Sequence, residues 1–340
     1  KLVDVDMSEA KKISDVVVVQ EGDLVAVLHK YPDVAEKALE KIKAKFSPSD
    51  SKLNNENIYD HFLEIAGEGR IISQQGDIKE GEKKSSTVFE ETYYDNYVAH
   101  SPIEPRTAVA RMDGNKFTVW ASTQNPFTAK EEAARALGIA PDNVRIITPY
   151  VGGGFGGKTR NLQVVDAVRL AKLTGKPVMV AYTRQEEFFY DAFHPAAIIK
   201  IRSGLTSSNQ ISFWDYNVYF AGERGATHFY NIPNSSTKSF SGNRNSTVPS
   251  HPFATGPWRA PGNNTNTFAR ESHIDIMAVK AGIDPFEFRM KNFKEEKYAE
   301  VLKAAGEKFG WKKSSKTPSG RGYGIACGAD AGTYVAMIVE

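Results

Sequence analysis

Residues 149–161, PYVGGGFGGKTRN, put five glycines and one phenylalanine between an apolar run, VRIITPYV, and a segment with helical periodicity over 161–174. Main chain without Cβ atoms can come close to a ligand or to another segment, and it can adopt positive φ. Phe155 interrupts the glycines and must be directed somewhere specific. Three readings are open. Gly152, Gly157, Lys158 and Thr159 match G-x-x-x-x-G-K-S/T, the phosphate loop, and Gly152, Gly154 and Gly157 match G-x-G-x-x-G, the dinucleotide fingerprint. The third reading is a turn in which backbone packs on backbone.

Neither template agrees well with its surroundings. A phosphate loop needs an acidic residue ending a later apolar strand to hold magnesium. Here PVMVAYTRQEE ends in Thr183 and Arg184, and Asp215 lies inside the alternating run ISFWDYN. A dinucleotide fold expects an acidic residue about 20 positions past the loop, in the first βα unit of its domain. Thr183 and Arg184 occupy that place, behind a region that reads as antiparallel.

The periodicities predict an α+β or α/β chain with mixed sheets and packed helices. VVVVQEGDLVAVL (16–28) reads as two short strands, and Pro32 opens a helix whose face carries Val34, Ala35, Ala38, Leu39, Ile42 and Phe46. Residues 47–85 are polar with little periodicity and read as a connecting or disordered segment. Long strands follow from Thr87, with a hairpin turn at Asp113-Gly114. Thr128 and Glu131 have capping-box spacing for a helix over 128–137 that stops at Gly138. Further strands come at PVMVAYT, AAIIKIRSG and QISFWDYNVYF, and 232–256 reads as a long loop. Helices are expected over 264–281, after the cap Asp284-Pro285, and over 296–309. The chain opens without methionine and ends on an apolar strand, so it reads as a fragment.

Composition excludes several functions. Forty-three basic and 41 acidic residues leave a net charge of +2, which gives no electrostatic argument for nucleic acid. One cysteine, Cys327, cannot build a disulfide framework or a four-cysteine iron–sulfur site, and seven scattered histidines show no metal-ligand spacing. No apolar run is long enough to span a membrane.

Six stretches in order carry a resemblance: HSPIEPRTAVA (100–110), STQNPF (122–127), VGGGFGGK (151–158), WRAPG (258–262), DPFEFRMKN (284–292) and GRGYGIACG (320–328). Together they resemble the molybdopterin-binding subunit of the xanthine dehydrogenase and aldehyde oxidase family, the molybdenum hydroxylases. TRQEEFFYDAFHPAA (183–197) is similar to the isoquinoline oxidoreductase-like branch. The resemblance implies that 1–46 ends an α/β hammerhead domain, that 47–86 connects, and that 87–340 is the first molybdopterin-binding domain.

It also implies a molybdenum–molybdopterin cofactor, the cytosine dinucleotide form being one option, whose metal is held by the pterin and by no protein side chain. By motif position, Gln124, Gly154, Phe155, Gly156 and Arg259 would contact it. Thr159 stands where xanthine-type enzymes carry a substrate-binding glutamate, and Pro261 where they carry an aromatic residue, so these two are expected to line the substrate funnel and xanthine is disfavoured. The implied reaction oxidises an aldehyde or N-heterocycle with water as oxygen source. Its catalytic base would be a glutamate of a second molybdopterin domain, and [2Fe-2S] clusters, with or without FAD, would lie on other domains or subunits. A cytoplasmic location is the default, although the isoquinoline-like branch includes exported members. Taken one at a time, the residues also have plainer readings: Gln124 satisfying loop backbone, Arg259 stacking at the surface, Glu104 holding a turn, and Glu186–Glu187 opening a solvated helix.

Overall fold

The computed structural model describes residues 2–47, 51–241, 250–312 and 320–340. The chain divides into two compact units. The first comprises Lys1–Lys52, Ser101–Gly154 and Lys158–Phe189; the second comprises Leu53–His100, Phe155–Gly157 and Tyr190–Glu340.

A four-stranded sheet is the centre of the first unit, in the order Val178–Ala181, Thr107–Asp113, Lys116–Ala121, Val144–Ile147. Only the last pair is parallel. Alternate residues point the same way from a strand. Ala108, Ala110, Val119 and Ala121 therefore share a face, which packs with Ala129 and Ala133 of helix Pro126–Leu137 and with Val164, Ala167, Val168 and Ala171 of helix Leu162–Thr174. Alanine at these positions gives the helices their close seat. Both helices stop on left-handed glycines, Gly138 at φ 68° and Gly175 at φ 64°.

Two sequence expectations in this unit need correction. Asn125, not Thr128, caps the helix: its side chain accepts the Thr128 N–H at 3.3 Å, and Pro126 occupies the first turn, where a missing N–H is harmless. The early helix runs only from Pro32 to Leu39. Lys43–Phe46 instead pairs antiparallel with Leu2–Asp6, and a strand ladder satisfies the backbone there in place of another helical turn. Phe46 is 63% exposed, so it belongs to no buried helical face. The hairpin Val17–Glu21/Leu24–Leu28 forms as the sequence predicts.

The second unit is built on a five-stranded sheet, ordered Arg70–Gln75, Ser235–Phe240, Ile211–Tyr219, Ala197–Leu205, Thr87–Asp95. Ile211–Tyr219 and Ser235–Phe240 are parallel, and the other pairs are antiparallel. Helix Asn263–Lys280 covers one face through Ile274, Met277 and Ala278, against Ile199, Ile201, Trp214 and Tyr216. Ile198 points the other way and joins Ile58 and Phe62 of helix Ile58–Ile65.

The two outer strands on one side were hidden in the sequence. Residues 47–85 contain helices Ile58–Ile65 and Ile78–Lys83 and strand Arg70–Gln75, and 232–256 contains strand Ser235–Phe240; residues 48–50 and 242–249 lie outside those described. Polar groups hold these segments. Asp77 accepts the N–H groups of Lys79 and Glu80, its own N–H donates to Asn234 Oδ1 at 3.0 Å, and Asn234 Nδ2 donates to the Ser212 carbonyl at 2.9 Å. A composition test registers apolar patterning and misses a segment anchored in this way.

Helix Pro285–Asn292, capped by Asp284 as expected, and helix Glu296–Phe309 lead to the antiparallel pair Gly324–Asp330/Thr333–Val339. The buried Glu271 carboxylate gathers Tyr230 Oη, Arg270 Nε, Arg289 Nε and the Cys327 N–H at 3.0–3.2 Å, which ties the long helix to that pair. Burial beside Glu271 pushes the Cys327 thiol up to about 12. Among the described residues, no helix is long and apolar enough to cross a membrane.

Candidate functional site

The stretch HSPIEPR supplies two charged side chains, Glu104 and Arg106, which each find an opposite charge, and His100, which meets a carboxyl group. In the first unit Arg106 and Glu187 form a fully buried pair at 2.6 Å, and Glu187 also accepts the Arg106 N–H at 2.7 Å. Glu187 is therefore not part of a solvated helix start, whereas Glu186 accepts the Thr183 N–H and hydroxyl at the exposed start of helix Arg184–Phe189. Glu104 accepts the Gly152 N–H at 2.7 Å and the Lys158 ammonium at 2.7 Å, so it holds the loop turn as its sequence position suggested. The third pair, His100 with Asp191 at 2.9 Å, lies in the second unit.

The Lys158 contact decides against a phosphate loop. That side chain is 0% exposed and is neutralised by Glu104, whereas a phosphate-loop lysine must extend into the nucleotide site. The sheet excludes the dinucleotide reading too, since three of its four strands run in antiparallel pairs and not in a doubly wound parallel array.

Gln124 and Gly154 come together in the first unit. The Gln124 N–H donates to the Lys158 carbonyl at 2.9 Å, and a Cβ placed on Gly154 would sit 2.5 Å from Gln124 Oε1. Thr123 Oγ1 donates to Asn161 Oδ1 at 2.6 Å and accepts the Asn125 N–H at 3.0 Å, which fixes the turn that carries Gln124. Thr159 is half-buried in this unit. The plain reading of Gln124 has some substance, since its N–H does satisfy loop backbone, while its side chain is exposed.

Phe155, Gly156 and Arg259 come together in the second unit. The Arg259 N–H donates to the Phe155 carbonyl at 2.9 Å. Phe155 has φ 54°, left-handed for a bulky residue, and its ring is 45% exposed. Such strain persists only where the surroundings enforce it, and it clusters at functional sites. Pro261 lines an open cleft of about 340 Å³ together with His194, Phe220, Thr255 and Trp258.

Among the described residues no three His, Cys, Asp or Glu side chains could hold a metal ion. The exposed candidates are a neutral amide, a guanidinium and main chain. In the second unit, Arg259, whose N–H bonds the Phe155 carbonyl, is a cationic donor suited to an anionic group that brings its own metal ligands.

The family profile described as the molybdopterin cofactor-binding domain matches residues 64–293, more than half of the chain. The chain belongs to the molybdopterin cofactor-binding domain family. Curated relatives agree with the six motifs. Over 299 residues the chain is 30% identical to the molybdenum-binding subunit of an aldehyde oxidoreductase from Escherichia coli O157:H7, covering 78% of this chain and 40% of that subunit. It is 31% identical to one subunit of a probable xanthine dehydrogenase from Bacillus subtilis, covering 81% and 39%. It is 26% identical to the isoquinoline 1-oxidoreductase subunit beta of Brevundimonas diminuta, covering 72% and 33%. Among solved structures, the aldehyde oxidoreductase from Desulfovibrio gigas superposes with a TM-score of 0.73 at 19% identity, over 96% of this chain and 44% of that one, which establishes a shared fold. This molybdopterin-binding chain thus spans about 40% of the length of those first relatives. The α+β class and the cofactor class that the motifs implied both stand.

Proposed function

We propose that this chain forms part of the molybdopterin-binding subunit of a molybdenum hydroxylase that oxidises an aldehyde or N-heterocycle with water as oxygen source. The observation that carries the reading is the family match over 64–293, which encloses the strained, exposed Phe155 and its bond to Arg259. When bound, the cofactor supplies the redox chemistry; the protein's part is to hold and orient it. Gln124 contributes a side-chain amide, Gly154 and the Phe155–Gly156 peptide contribute bare main chain, and Arg259 contributes a cationic donor. Thr159 and Pro261 line the approach of the substrate, and the short Pro261 favours aldehydes or small heterocycles over xanthine.

Residues 1–46 fit the end of a hammerhead domain, and the first molybdopterin-binding domain starts before residue 87, as the family match from 64 and strand Arg70–Gln75 of the second unit's sheet support. The catalytic glutamate and further pterin contacts come from a second molybdopterin domain, and electrons leave through [2Fe-2S] clusters, with or without a flavin, on partner subunits. The cytosine dinucleotide is one option for the form of the pterin, and the cytoplasm is the default location.

The test is made on the complete protein with its natural partners. Molybdenum per chain is measured by plasma mass spectrometry, and labelled oxygen from water is followed into an aldehyde or N-heterocycle. Replacing Gln124 or Arg259 by alanine is expected to lower molybdenum content or turnover about tenfold or more, the range seen when groups supporting a bound metal are removed. Full molybdenum and full turnover in the double variant would remove both residues from the site.

A further inference from the structure

His100 lies beneath the glycine loop and has no part in the proposed reaction. Its side chain is 0% exposed and that of Asp191 is 1% exposed. Nδ1 lies 2.9 Å from Asp191 Oδ1, and Nε2 lies 2.8 Å from the Pro257 carbonyl oxygen. Both ring nitrogens therefore face acceptors. Asp191 Oδ1 also takes the Ala192 N–H at 2.8 Å, and Oδ2 takes the His100 N–H at 2.8 Å. Main-chain donors on both oxygens favour the ionised carboxylate, so the hydrogen between Nδ1 and Oδ1 belongs to the ring. A carbonyl has no hydrogen to give, so the contact with Pro257 needs a hydrogen on Nε2. A neutral imidazole has one N–H, and its bare nitrogen would oppose a lone pair in a buried site, which is costly.

The same ring locks two loop segments. A Cβ on Gly156 would sit 1.7 Å from the Pro257 carbonyl that His100 engages, and a Cβ on Gly157 would sit 2.8 Å from His100 Cγ. Two residues beyond Pro257, the Arg259 N–H reaches the Phe155 carbonyl. His100, Phe155–Gly157 and Pro257–Arg259 thus form one interlocked knot, and these contacts explain why three loop residues cluster with the second unit.

We propose that His100 is a buried imidazolium, balanced by Asp191, that positions Phe155–Gly157 and Pro257–Arg259 for the cofactor. His100 is a positioning residue, and its role rests on the reading of Phe155, Gly156 and Arg259 as cofactor contacts.

The experiment uses the complete protein with its partners, labelled with nitrogen-15 in its seven histidines. Nitrogen NMR at neutral pH separates an imidazolium from either neutral tautomer. An unconstrained histidine, with a pKa of about 6.5, is mostly neutral there, so a doubly protonated ring stands out. Coupling from Nε2 to a carbon-13-labelled Pro257 carbonyl assigns the signal in the wild type, so the result does not depend on a variant that folds. The expected result is two protonated nitrogens on His100, a single one after Asp191→Asn, and a fall of about tenfold in molybdenum per chain in Asp191→Asn and His100→Gln with circular dichroism retained. A singly protonated His100 in molybdenum-loaded wild type overturns the proposal and leaves the cofactor reading intact. So does full molybdenum in Asp191→Asn while Arg259→Ala loses it. Wild type that carries no molybdenum overturns the cofactor reading and this positioning role together.

Discussion

In the first unit the loop glycines lie against side chains, Gly152 on Glu104 and Gly154 on Gln124, whereas in the second unit Gly156 lies against a main-chain carbonyl, that of Pro257. The Gln124 side chain can swing aside, but the Glu104 Cβ that faces Gly152 is fixed to its backbone, and the carbonyl of an interlocked segment cannot move either. Charge is handled differently as well. The first unit buries the ion pair Arg106–Glu187, while the second holds the buried imidazole of His273 and the half-buried ones of His228 and His251, which loss of solvent drives down to about 3, about 4 and about 4. One glycine-rich run therefore has two mechanical characters. At Gly154 it meets a side chain that can move, whereas at Gly156 it meets a backbone carbonyl.

The largest difference should appear in acid. These three histidines are neutral in the fold, and their ordinary value is 6.5. Between about pH 6.5 and pH 3 the unfolded chain takes up protons that the fold refuses, so their contribution to stability is whole above that window and is lost as pH falls through it. Hydrogen exchange at about pH 4.5 should show the second unit losing protection first, with His273→Gln softening the slope. Earlier opening of the first unit would break the contrast.

Next in size is a matched pair of glycine substitutions. Gly156→Ala meets both a carbonyl at 1.7 Å and φ 112°, and should cost about 3–5 kcal/mol from strain and overpacking together. Gly154→Ala meets only the end of Gln124, at 2.5 Å, and should cost about 1 kcal/mol or less. Urea midpoints of the two variants measure this directly, and equal shifts would show that the loop is held uniformly.

Lys158→Ala should cost about 2 kcal/mol, less than Gly156→Ala and more than Gly154→Ala, because Glu104 is 34% exposed and water screens part of the loss. Adding Glu104→Gln should recover some of it, as a coupled pair requires. Calorimetric titration with ATP should give no binding heat in wild type or variant. Heat present in wild type and lost with Lys158 would restore the phosphate loop.

Much of this was legible in the chain. Periodicity and caps located the alanine-rich sheet and helices of the first unit and the long helix Asn263–Lys280. Strands Arg70–Gln75 and Ser235–Phe240 were not legible, since Ser235, Ser236, Thr237 and Ser239 are polar yet buried and the strands' ladder partners are remote in sequence. The site divides in the same way. Six short motifs named the cofactor family, yet they do not say that His100, Glu104 and Arg106 each seek a charge from Asp191, Lys158 and Glu187, the nearest of them more than fifty residues away. Spacing reveals a partner one helical turn away, but it does not reveal one brought close only by folding.

The amino-acid order by itself determined where main chain would be bare and where several helices start or stop, and by resemblance it pointed to the family of the chain. Those are properties of residues and of their immediate neighbours. The fold alone decided what each glycine is bare for: close contact with a side chain at Gly152 and Gly154, and with a carbonyl at Gly156. It also decided that Lys158 neutralises a glutamate instead of a phosphate. Those outcomes depend on which distant atoms share a small volume, and local chemistry leaves that choice open until the sheets and helices have packed.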